Sequence, residues 1–450
     1  MEDKPSINVI VRDRFTKQSE SLFRLDDESL VLSFHGKGRN LHNDLEEIEQ
    51  SVGKLDPIIL DLYNIALVVY VWDITTYRSG TAPRDFRCLI SVSNADKWNL
   101  VKTLLEGTLR FLTGDTFAFN FVQGQKPSRD LVFKKDKDEQ KSVVLFSGGL
   151  DSLAGFKWDV DNEISSVLVS HPGAGIISDA QRKLVDALGK IVKKTLEWHQ
   201  IRATARQGKE LQGVVPTQFS RSFLYLTLGA IFALKLGIVK LHIFENGVLA
   251  HNIPLTQARI YSSTRTVHPQ FLKSYQEILD GVFGNCVTVS NPFVDKTKGE
   301  VVVLLNSDGY REQTKITISC SEVQVLWRKG IKIGKIRHCG ICFPCIIRRV
   351  AMNYAGLSEQ DARYADDIEL PYSKIPNEGK KLLFEMADFA RQIDKCSNVD
   401  DALIEFPQFY IEDVDPAMLF DMAKRQVAQF KDFVRQRAHQ TLRSCLTDKE

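Results

Sequence analysis

The sequence predicts an α/β protein with a doubly wound parallel sheet at its centre, preceded by an α+β unit and followed by a helical region. Three observations support this fold class. Apolar strand-like runs alternate with helical patterns over residues 142–356, which is typical of parallel sheets with crossover helices. Before this stretch, β-branched and aromatic runs are mixed with two helical segments. After it, strand signals fade and helical spacing remains.

The N-terminal α+β accessory unit is expected to span residues 1–133. Its strand candidates are rich in β-branched and aromatic residues and alternate in part; they are INVIVRD, SLVLSF, DFRCLISVS and TFAFNFV. One helix is predicted over residues 56–78, with a proline near its start. A second is predicted over 95–112, because Trp98, Val101, Leu105 and Leu109 share one helical face.

A charged segment, KKDKDEQK at 134–141, is the predicted linker because it contains no apolar residue. The central domain, 142–356, contains the strand candidates SVVLF, SSVLVS and KLHIF. The helical C-terminal region, 357–450, contains KKLLFEMADFARQI and PAMLFDMAKRQVAQFKDFVRQRA, which have apolar residues at helical spacing.

Composition limits the function classes. The chain has 59 Lys plus Arg and 57 Asp plus Glu, so its overall charge does not indicate a protein that coats DNA. The opening MEDKPSINVIV lacks the pattern of a signal peptide. The most apolar stretches, 66–72 and 224–237, are shorter than the roughly 20 residues of a membrane span. We therefore expect a cytoplasmic protein without membrane contact, in which the eight cysteines are reduced.

The segment SGGLDS, residues 147–152, interrupts the apolar run VVLF before a helical pattern resumes. A glycine pair after a buried strand lets backbone N–H groups point into one concavity, which the next helix extends with its positive end. Such a nest binds phosphate. Ser147 and Ser152 supply further hydroxyl donors, and Asp151 is suited to a substrate proton or to Mg²⁺. The alternative is a plain strand-to-helix turn with a serine cap.

Four cysteines form the second constellation. Cys339, Cys342 and Cys345 follow a C-x2-C-x2-C spacing, and Cys320 lies 19 residues upstream. Four thiolates at these spacings can close a tetrahedral Zn²⁺ site, which would pin the end of the sheet to the next helix. An iron–sulfur cluster uses the same ligands, so the spacing leaves both open. Buried inert cysteines and a redox pair are further alternatives.

The loop resembles the PP-loop of N-type ATP pyrophosphatases, whose signature is SGGxDS and which cleave ATP between the α and β phosphates. Taken with NPF at 291–293, TKGE at 297–300 and CGxCxxCxxR at 339–348, the region 142–356 resembles QueC, the 7-cyano-7-deazaguanine synthases. The resemblance implies that ATP and Mg²⁺ are held by Ser147, Gly148, Gly149, Leu150, Asp151 and Ser152. It implies that zinc is held by Cys320, Cys339, Cys342 and Cys345.

The substrate segment departs from that family. QueC carries a D-x-S-G-Y-P-D-C-R-P-type motif where this chain has IFENGVLAHNIPLTQARIYSSTRTVHPQFL at 243–272. The chain is also longer at both ends. These features resemble the QueC-like proteins of anti-phage loci, QatC of Qat systems and the QueC-like component of type IV CBASS. That resemblance implies adenylation of a 7-carboxy-7-deazaguanine-type carboxylate and its capture by an amine, the N-terminus of a partner protein.

Several charged and polar residues are candidates for that chemistry. Activating a carboxylate as an acyl adenylate develops negative charge, and Arg221, Arg265 and Lys298 lie near predicted strand ends where cations could stabilise it. The purine-like base needs donors and acceptors, for which the candidates are Glu245, Asn246 and Asn252, with His268 as an acid or base. Arg348 and Arg349 are predicted to reach phosphate or to pair with carboxylates.

Each of these residues also has an ordinary structural interpretation, as a surface charge, a helix cap or a loop-fixing group. Three alternative functions remain at this point. One is a QueC-type nitrile synthase that uses ammonia as the amine. Another is a PP-loop enzyme that modifies tRNA, which the balanced charge disfavours because such enzymes need a basic track. The third is a non-catalytic module that retains nucleotide and zinc binding.

Overall fold

The protein was analysed as a computed structural model, which describes residues 7–12, 30–33, 41–78, 82–124, 140–173, 175–205, 218–257, 265–322 and 336–447. Within these ranges the strands form a four-stranded sheet, a five-stranded sheet and two small two-stranded sheets. All strand pairs in the two larger sheets are parallel. The predicted α/β class is confirmed.

The N-terminal unit contains five strands and three helices in the described part of the chain. They are β1 (Ile7–Arg12), β2 (Leu30–Ser33), β3 (Leu41–Asn43), α1 (Leu45–Val52), α2 (Pro57–Thr75), β4 (Asp85–Val92), α3 (Ala95–Thr113) and β5 (Thr116–Gln123). The four-stranded sheet has the order β2-β1-β4-β5. All four strand predictions and both helix predictions for this unit are confirmed; the parallel pairing is a detail that the sequence pattern did not provide.

The central region builds the five-stranded sheet. Its elements are β6 (Lys141–Leu145), α4 (Leu150–Asp161), β7 (Ser165–Ser170), α5 (Gly175–Ile191), β8 (Trp198–Gln200), β9 (Ala203–Ala205), α6 (Arg221–Leu236), β10 (Lys240–Ile243), α7 (Gly247–Ala250), α8 (Pro269–Phe283), β11 (Thr288–Ser290), α9 (Lys298–Val303), a 3-10 helix (Arg311–Ile316), β12 (Ile336–His338) and α10 (Phe343–Tyr354). The strand order is β11-β10-β6-β7-β8.

Strand β6 lies at the centre of this sheet, and both of its faces are covered. Val143 and Leu145 belong to one apolar cluster, whereas Val144 and Phe146 belong to a second cluster on the other face. Side chains alternate between faces along a strand, so two separate cores sandwich the sheet. The chain continues from β6 to β7 on one side, while β10 pairs on the other. The loop after β6 therefore lies at a topological switch point, where α/β sheets bind ligands.

The C-terminal region is helical, as predicted. Its elements are 3-10 helices (Ser358–Gln360, Tyr372–Lys374 and Pro407–Phe409), β13 (Arg363–Tyr364), α11 (Asn377–Lys395), α12 (Val399–Glu405), α13 (Pro416–Arg437) and α14 (Gln440–Thr447). Helix α13 packs against α10 and α11. Its apolar cluster includes Val248, Ile253 and Leu255 of the central region, so the C-terminal helices cover the end of β10 and α7.

The N-terminal unit shares a hydrophobic core with the central region. Helix α2 packs on α6 and α3 packs on α8, and one continuous cluster contains residues from both parts. Strand β3 also pairs with β9 in an antiparallel sheet. Residues 134–139 of the predicted linker lie outside the described residues, and the division at 133/134 stays a prediction.

Helix α2 corrects one expectation from the sequence. The apolar stretch 66–72 is too short by itself to span a membrane, but it belongs to a 19-residue helix with a mean hydropathy of 1.6 over its most apolar window. By length and composition alone this helix could cross a membrane. The surrounding protein buries 94% of that window, as expected of a core helix.

Candidate active site

The 147–152 loop makes a sharp bend between β6 and α4. Gly148 has a φ of +83°, a left-handed conformation that residues with a Cβ rarely adopt. A Cβ on Gly148 would also lie 3.0 Å from Gln181 Cγ. Gly149, at the N-cap of α4, is extended, and no side chain of the described residues caps this helix. The N–H groups of the first turn of α4 are therefore available to an anion.

Two serines organise the inside of the loop. The Ser152 hydroxyl accepts from Gly148 N at 3.1 Å and donates to Gly149 O at 3.1 Å. It lies 3.2 Å from the Ser147 hydroxyl, which in turn accepts from Gly149 N at 3.3 Å. Ser152 is buried and Ser147 is exposed, so Ser152 closes the loop while Ser147 faces outward. The Leu150 side chain is buried in the core, which leaves its backbone N–H as the group suited to a phosphate.

A buried amide holds the loop from outside. Gln181 of α5, fully buried, donates from Nε2 to Ser147 O at 3.0 Å. Its Oε1 accepts from Gln200 Nε2 at 2.8 Å, and Gln200 accepts from the Ser178 hydroxyl at 2.9 Å. Sequence reasoning missed Gln181, because nothing in a helical glutamine 34 residues from the loop signals such a contact.

Asp151 and Lys298 form a buried ion pair next to the loop. The Lys298 ammonium contacts Asp151 Oδ2, and both side chains are less than a tenth exposed. Asn246 Nδ2 lies 3.5 Å from the same oxygen and donates to Glu245 Oε1 at 2.8 Å. Asp151 Oδ1 is buried without a hydrogen-bond partner among the described residues. Since buried polar atoms are nearly always paired, this oxygen is suited to bind a ligand or a cation.

Glu245 and Asn246 follow β10 and lie near the Asp151–Lys298 pair. Asn291, which follows β11, joins the ends of these two strands. Its Oδ1 accepts from Glu245 N at 3.2 Å and from Phe293 N at 3.1 Å, and its Nδ2 donates to Glu245 O at 2.8 Å. Asn246 also caps α7 by accepting from Leu249 N at 3.2 Å. The NPF segment therefore fixes the backbone that carries Glu245 and Asn246.

Lys298 is presented by a capping box. The Thr297 hydroxyl accepts from Glu300 N at 3.2 Å, and the Glu300 carboxylate accepts from Thr297 N at 2.9 Å. Gln429 of α13 donates to the Thr297 hydroxyl at 2.7 Å. Lys298 is thus the first residue of a helix whose start is fixed on two sides. The TKGE segment acts as a capping motif here.

The four predicted metal ligands come together. The Sγ atoms of Cys320, Cys339, Cys342 and Cys345 all lie within 4.8 Å of one another. The Cys320–Cys342 and Cys339–Cys345 sulfur distances are 3.9 and 3.8 Å. A tetrahedral zinc ion with bonds of about 2.3 Å separates its sulfurs by about 3.8 Å, so the four thiols fit one zinc ion. A cluster of several iron atoms needs a wider separation, and the geometry therefore favours zinc.

Backbone N–H groups also face the sulfurs. Glu322 N and Cys339 N each lie 3.3 Å from Cys320 Sγ, and Cys342 N lies 3.3 Å from Cys339 Sγ. Hydrogen bonds among the four thiols lower the pKa of Cys342 and Cys339 and raise the pKa of Cys320 and Cys345. A thiolate is the form that binds metal.

The zinc-ligand segment contacts the loop directly. Ile318 N, two residues before Cys320, donates to Gly148 O at 3.1 Å. Arg348, fully buried, pairs with Asp361 at 2.7 Å and donates to the Thr317 hydroxyl at 2.8 Å. Arg348 therefore holds the strip that touches the loop.

Arg348 and Arg349 lie on α10, the helix that carries Cys345, and both pair with carboxylates. Arg349 lies 2.6 Å from Asp367 and stacks on the Tyr364 ring at 3.9 Å. Of the two interpretations left open by the sequence, carboxylate pairing is the one that the structure supports for Arg348 and Arg349.

Arg221 lies at the carboxyl end of β7, the strand that pairs with β6. Its Nη2 donates to His171 O at 3.1 Å. Gly173 lies beside this guanidinium, since a Cβ on it would be 3.4 Å from that nitrogen, an ordinary contact distance. Burial, helped by the Arg221 charge, lowers the pKa of His171 to about 4. The imidazole is therefore neutral at pH 7.

The remaining candidates lie further from the loop. Arg265 donates to Phe111 O of α3 at 2.6 Å and stacks on the Phe111 ring at 4.6 Å. His268 caps α8, accepting from Gln270 N at 3.2 Å, and burial lowers its pKa to about 4. Asn252 follows α7 with a φ of +55°. Among the described residues, Arg265 and His268 show no hydrogen bond to the loop, and the proposed roles of all three residues stay predictions.

Comparison with known proteins finds a family similar to part of the chain. Residues 176–356 match the family described as QueC: Queuosine biosynthesis protein QueC. Over these residues, less than half of its length, the chain is similar to the QueC family. The match includes Gln181, Lys298 and the four cysteines, and it begins after the 147–152 loop.

Individual QueC relatives are distant. The 7-cyano-7-deazaguanine synthase of Rhizobium meliloti is 25% identical over 232 residues, 49% of this chain and 90% of that protein. That of Brucella ovis is 24% identical over 234 residues, 49% of this chain and 91% of that protein. The remainder of this chain lies outside these alignments, so the similarity to these relatives covers about half of the molecule.

Proposed function

We propose that the protein is a cytoplasmic, ATP-consuming enzyme that adenylates the carboxylate of a 7-carboxy-7-deazaguanine-type base. The activated acyl group then passes to an amine, the N-terminus of a partner protein in bacterial anti-phage defence of the Qat or type IV CBASS kind. One observation carries the proposal: a glycine-bent loop with an uncapped helix N-terminus lies beside a buried Asp151–Lys298 pair that keeps one carboxylate oxygen unpaired among the described residues.

In the first step, a carboxylate oxygen of the base attacks the α-phosphorus of ATP. The bond to the β-phosphate oxygen breaks, and pyrophosphate leaves with its electron pair. The N–H groups of Leu150 and Asp151, in the first turn of α4, are suited to hold the phosphates. Lys298, paired with Asp151, and Arg221, at the carboxyl end of β7, supply positive charge that is suited to stabilise the charge developing on the transferred group.

Magnesium fits this site through Asp151 Oδ1, because hard oxygen ligands that are otherwise unpaired are what Mg²⁺ binds. When bound, Mg²⁺ would neutralise phosphate charge. Zinc fits the four-cysteine cluster, with the structural role of holding the 317–320 strip against the loop.

In the second step, the nitrogen of a neutral amine attacks the acyl carbon. The bond between that carbon and the AMP oxygen breaks, the nitrogen loses a proton, and an amide and AMP result. A carboxylate alone is a poor electrophile, so adenylation provides the leaving group. Glu245 and Asn246 at the end of β10 are suited to the ring N–H and amino groups of the base, with Asn252 and His268 further out as supporting candidates.

The relatives favour a second candidate, a nitrile synthase, because the similar proteins are named 7-cyano-7-deazaguanine synthase. Its first amide comes from ammonia, and removal of water from that primary amide gives the nitrile. An amide formed on a polypeptide N-terminus is secondary and cannot lose water in the same way. With a polypeptide N-terminus the amide is the stable product, whereas with ammonia the amide is converted to the nitrile. The two candidates therefore differ in the amine used and in the final product.

Purified protein with Mg²⁺, ATP and 7-carboxy-7-deazaguanine should release pyrophosphate and AMP. Mass spectrometry then decides between candidates: a mass increase on a co-purified partner or a model peptide N-terminus supports conjugation, and free nitrile from ammonium supports the synthase. Lys298→Met and Asp151→Asn should abolish pyrophosphate release. Asp161→Asn, an exposed acid at the far end of the same helix, is the matched control and should not.

Pyrophosphate release that survives Asp151→Asn and Lys298→Met at full rate would overturn the assignment of this pair. If wild-type protein binds ATP but releases nothing with any amine present, a non-catalytic binding role is favoured. Tight, steeply salt-dependent binding of tRNA would favour the RNA-modifying alternative.

A further inference from the structure

Helix α2 carries two buried aspartates, Asp61 and Asp73, and each accepts from the backbone N–H and the hydroxyl of one serine. Asp61 Oδ2 accepts from Ser93 N at 2.8 Å and from the Ser93 hydroxyl at 2.6 Å. Asp73 Oδ2 accepts from Ser220 N at 2.8 Å and from the Ser220 hydroxyl at 2.8 Å. Ser93 precedes α3 of the same unit, whereas Ser220 precedes α6 of the central region. Asp73 therefore acts across the two parts of the chain.

Asp73 is held in one position by charged partners. Its other oxygen accepts from Arg84 Nη2 at 2.7 Å, and the same nitrogen lies 2.8 Å from Asp115 Oδ2. Asp73 and Asp115 are fully buried, and the Arg84 guanidinium stacks on Trp72 at 4.4 Å. A buried charge network of this kind is favourable only in a geometry that keeps every partner in place. Ser220 is therefore attached to a rigid point of the N-terminal unit.

The residue after Ser220 is Arg221, which begins α6 and donates to His171 O at the carboxyl end of β7. Helix α2 also contacts His171, because the Tyr70 ring packs edge-on against the His171 ring with 5.6 Å between the ring centroids. One helix of the N-terminal unit thus contacts His171 and the residue directly before Arg221. It does so beside the strand that pairs with β6, which leads into the loop.

We propose that Asp73 is a positioning residue for Arg221: by fixing Ser220, it sets where the Arg221 guanidinium lies relative to the ATP phosphates. This rests on the proposed function, in which Arg221 supplies charge to the adenylation step. The N-terminal unit then supports the adenylating site through this contact.

The serines provide a matched pair of variants. Ser220→Ala and Ser93→Ala each remove one buried hydroxyl that donates to an α2 aspartate. We therefore expect the Tm of the two variants to fall by a similar amount. Loss of one such hydrogen bond, worth about 1 kcal/mol, corresponds to roughly a fivefold effect. We expect Ser220→Ala to lower kcat/KM for ATP by about that factor, and Ser93→Ala to leave it within about twofold of wild type.

A double variant tests whether the effect passes through Arg221. In an Arg221→Met background, Ser220→Ala should cause no further loss of kcat/KM, because the group it positions is gone. A full additional loss would overturn the proposal, as would equal effects of Ser220→Ala and Ser93→Ala on wild-type kcat/KM.

Hydrogen exchange measures the positioning without requiring activity. Ser220→Ala should speed exchange in the first turn of α6 and in the 171–173 segment, and Ser93→Ala should not. Unchanged exchange at both places would overturn the proposal even in an active enzyme. If wild-type protein makes no pyrophosphate while exchange responds as expected, the proposed function fails and the Asp73–Ser220–Arg221 coupling stands.

Discussion

At the scale of single residues, the two glycines of the loop serve different purposes. Gly148 needs a left-handed conformation and has Gln181 3.0 Å from the place of a Cβ, so a side chain there is both strained and crowded. Gly149 has an ordinary extended conformation, and a Cβ on it would lie 3.5 Å from the Ser147 hydroxyl, which is normal contact. Its small size matters for access to the N–H groups rather than for folding.

Gln181 offers a test of the loop's outer support. Gln181→Leu removes the donor to Ser147 O, which frees the loop to move and weakens its affinity for phosphates. We expect the Kd for ATP to rise by roughly five- to tenfold, the effect of one lost hydrogen bond. Isothermal titration with ATP and Mg²⁺ measures it. Gln426→Leu, at another buried glutamine on α13, is the control and should leave the Kd unchanged.

His171 gives the protein a pH-dependent stability of predictable sign. Burial, with the Arg221 charge, lowers its pKa in the folded state to about 4, against about 6.5 when unfolded. Between pH 6.5 and 4 the unfolded chain binds a proton that the folded chain does not. The stabilisation is therefore complete above pH 6.5 and is lost as pH falls, by about 2 kcal/mol at pH 5.

His171→Gln should therefore show a smaller drop in Tm between pH 7.5 and pH 5 than wild type. Part of the drop remains, because burial lowers the pKa of His268 to about 4 as well. His439→Gln, at an exposed position, is the control. An identical drop in all three proteins would contradict the assignment to His171.

At the scale of elements, length and local signals decide what the sequence can reveal. Helices α3, α11 and α13 repeat their apolar residues over 19 to 22 positions, so helical spacing is enough to identify them. The short α7 and the 3-10 helix at 311–316 have too few residues for periodicity to be distinctive. Helix α9 is equally short, but the T-x-x-E spacing at 297–300 is a usable signal for it.

The residues of the candidate site also divide into those that local sequence signals reveal and those that they do not. The loop and the cysteines are local motifs, so each of their residues can be predicted from spacing, while Gln181, Asn291 and Asp73 act through contacts that only the folded chain creates. Arg265 illustrates the converse: its position in the sequence suggests a strand end, but the structure packs it on Phe111 of the N-terminal unit.

The link between the zinc segment and the loop predicts an effect of metal removal. A chelator should release one zinc ion per chain, and the strip from residue 317 to 320 should lose its anchor. Because Ile318 N donates to Gly148 O, the Kd for ATP should then rise by at least about fivefold, along with a lower Tm. Metal analysis and titration on the same samples check both.

Cys342→Ser should reproduce the effect of the chelator, and Cys286→Ser, a half-buried cysteine outside the cluster, should not. A metal-free protein that binds ATP as tightly as the zinc form would show that the segment holds its place without the ion.

At the scale of the whole molecule, the centre is enclosed from two sides. The N-terminal unit packs through α2 and α3 on α6 and α8, and the C-terminal helices pack on α7 and α10. Gln429 of α13 reaches the cap of the helix that presents Lys298, and Asp73 of α2 reaches the start of the helix that presents Arg221. Both flanking regions therefore contact the supports of the two cations of the proposed site.

This arrangement predicts how the chain responds to being cut at the charged segment. A fragment of residues 134–450 exposes the apolar faces of α6 and α8 that α2 and α3 cover, at a cost of roughly 1.5–3 kcal/mol for each large side chain uncovered. We expect this fragment to be insoluble, or to unfold at a much lower temperature than the full chain, when it is expressed alone.

Co-expression with residues 1–133 should restore a soluble complex, because the shared core can form without a covalent link. Size-exclusion chromatography and thermal unfolding compare the two preparations. A lone 134–450 fragment that is monomeric, melts with the full chain and binds ATP normally would show that the N-terminal unit is an independent domain.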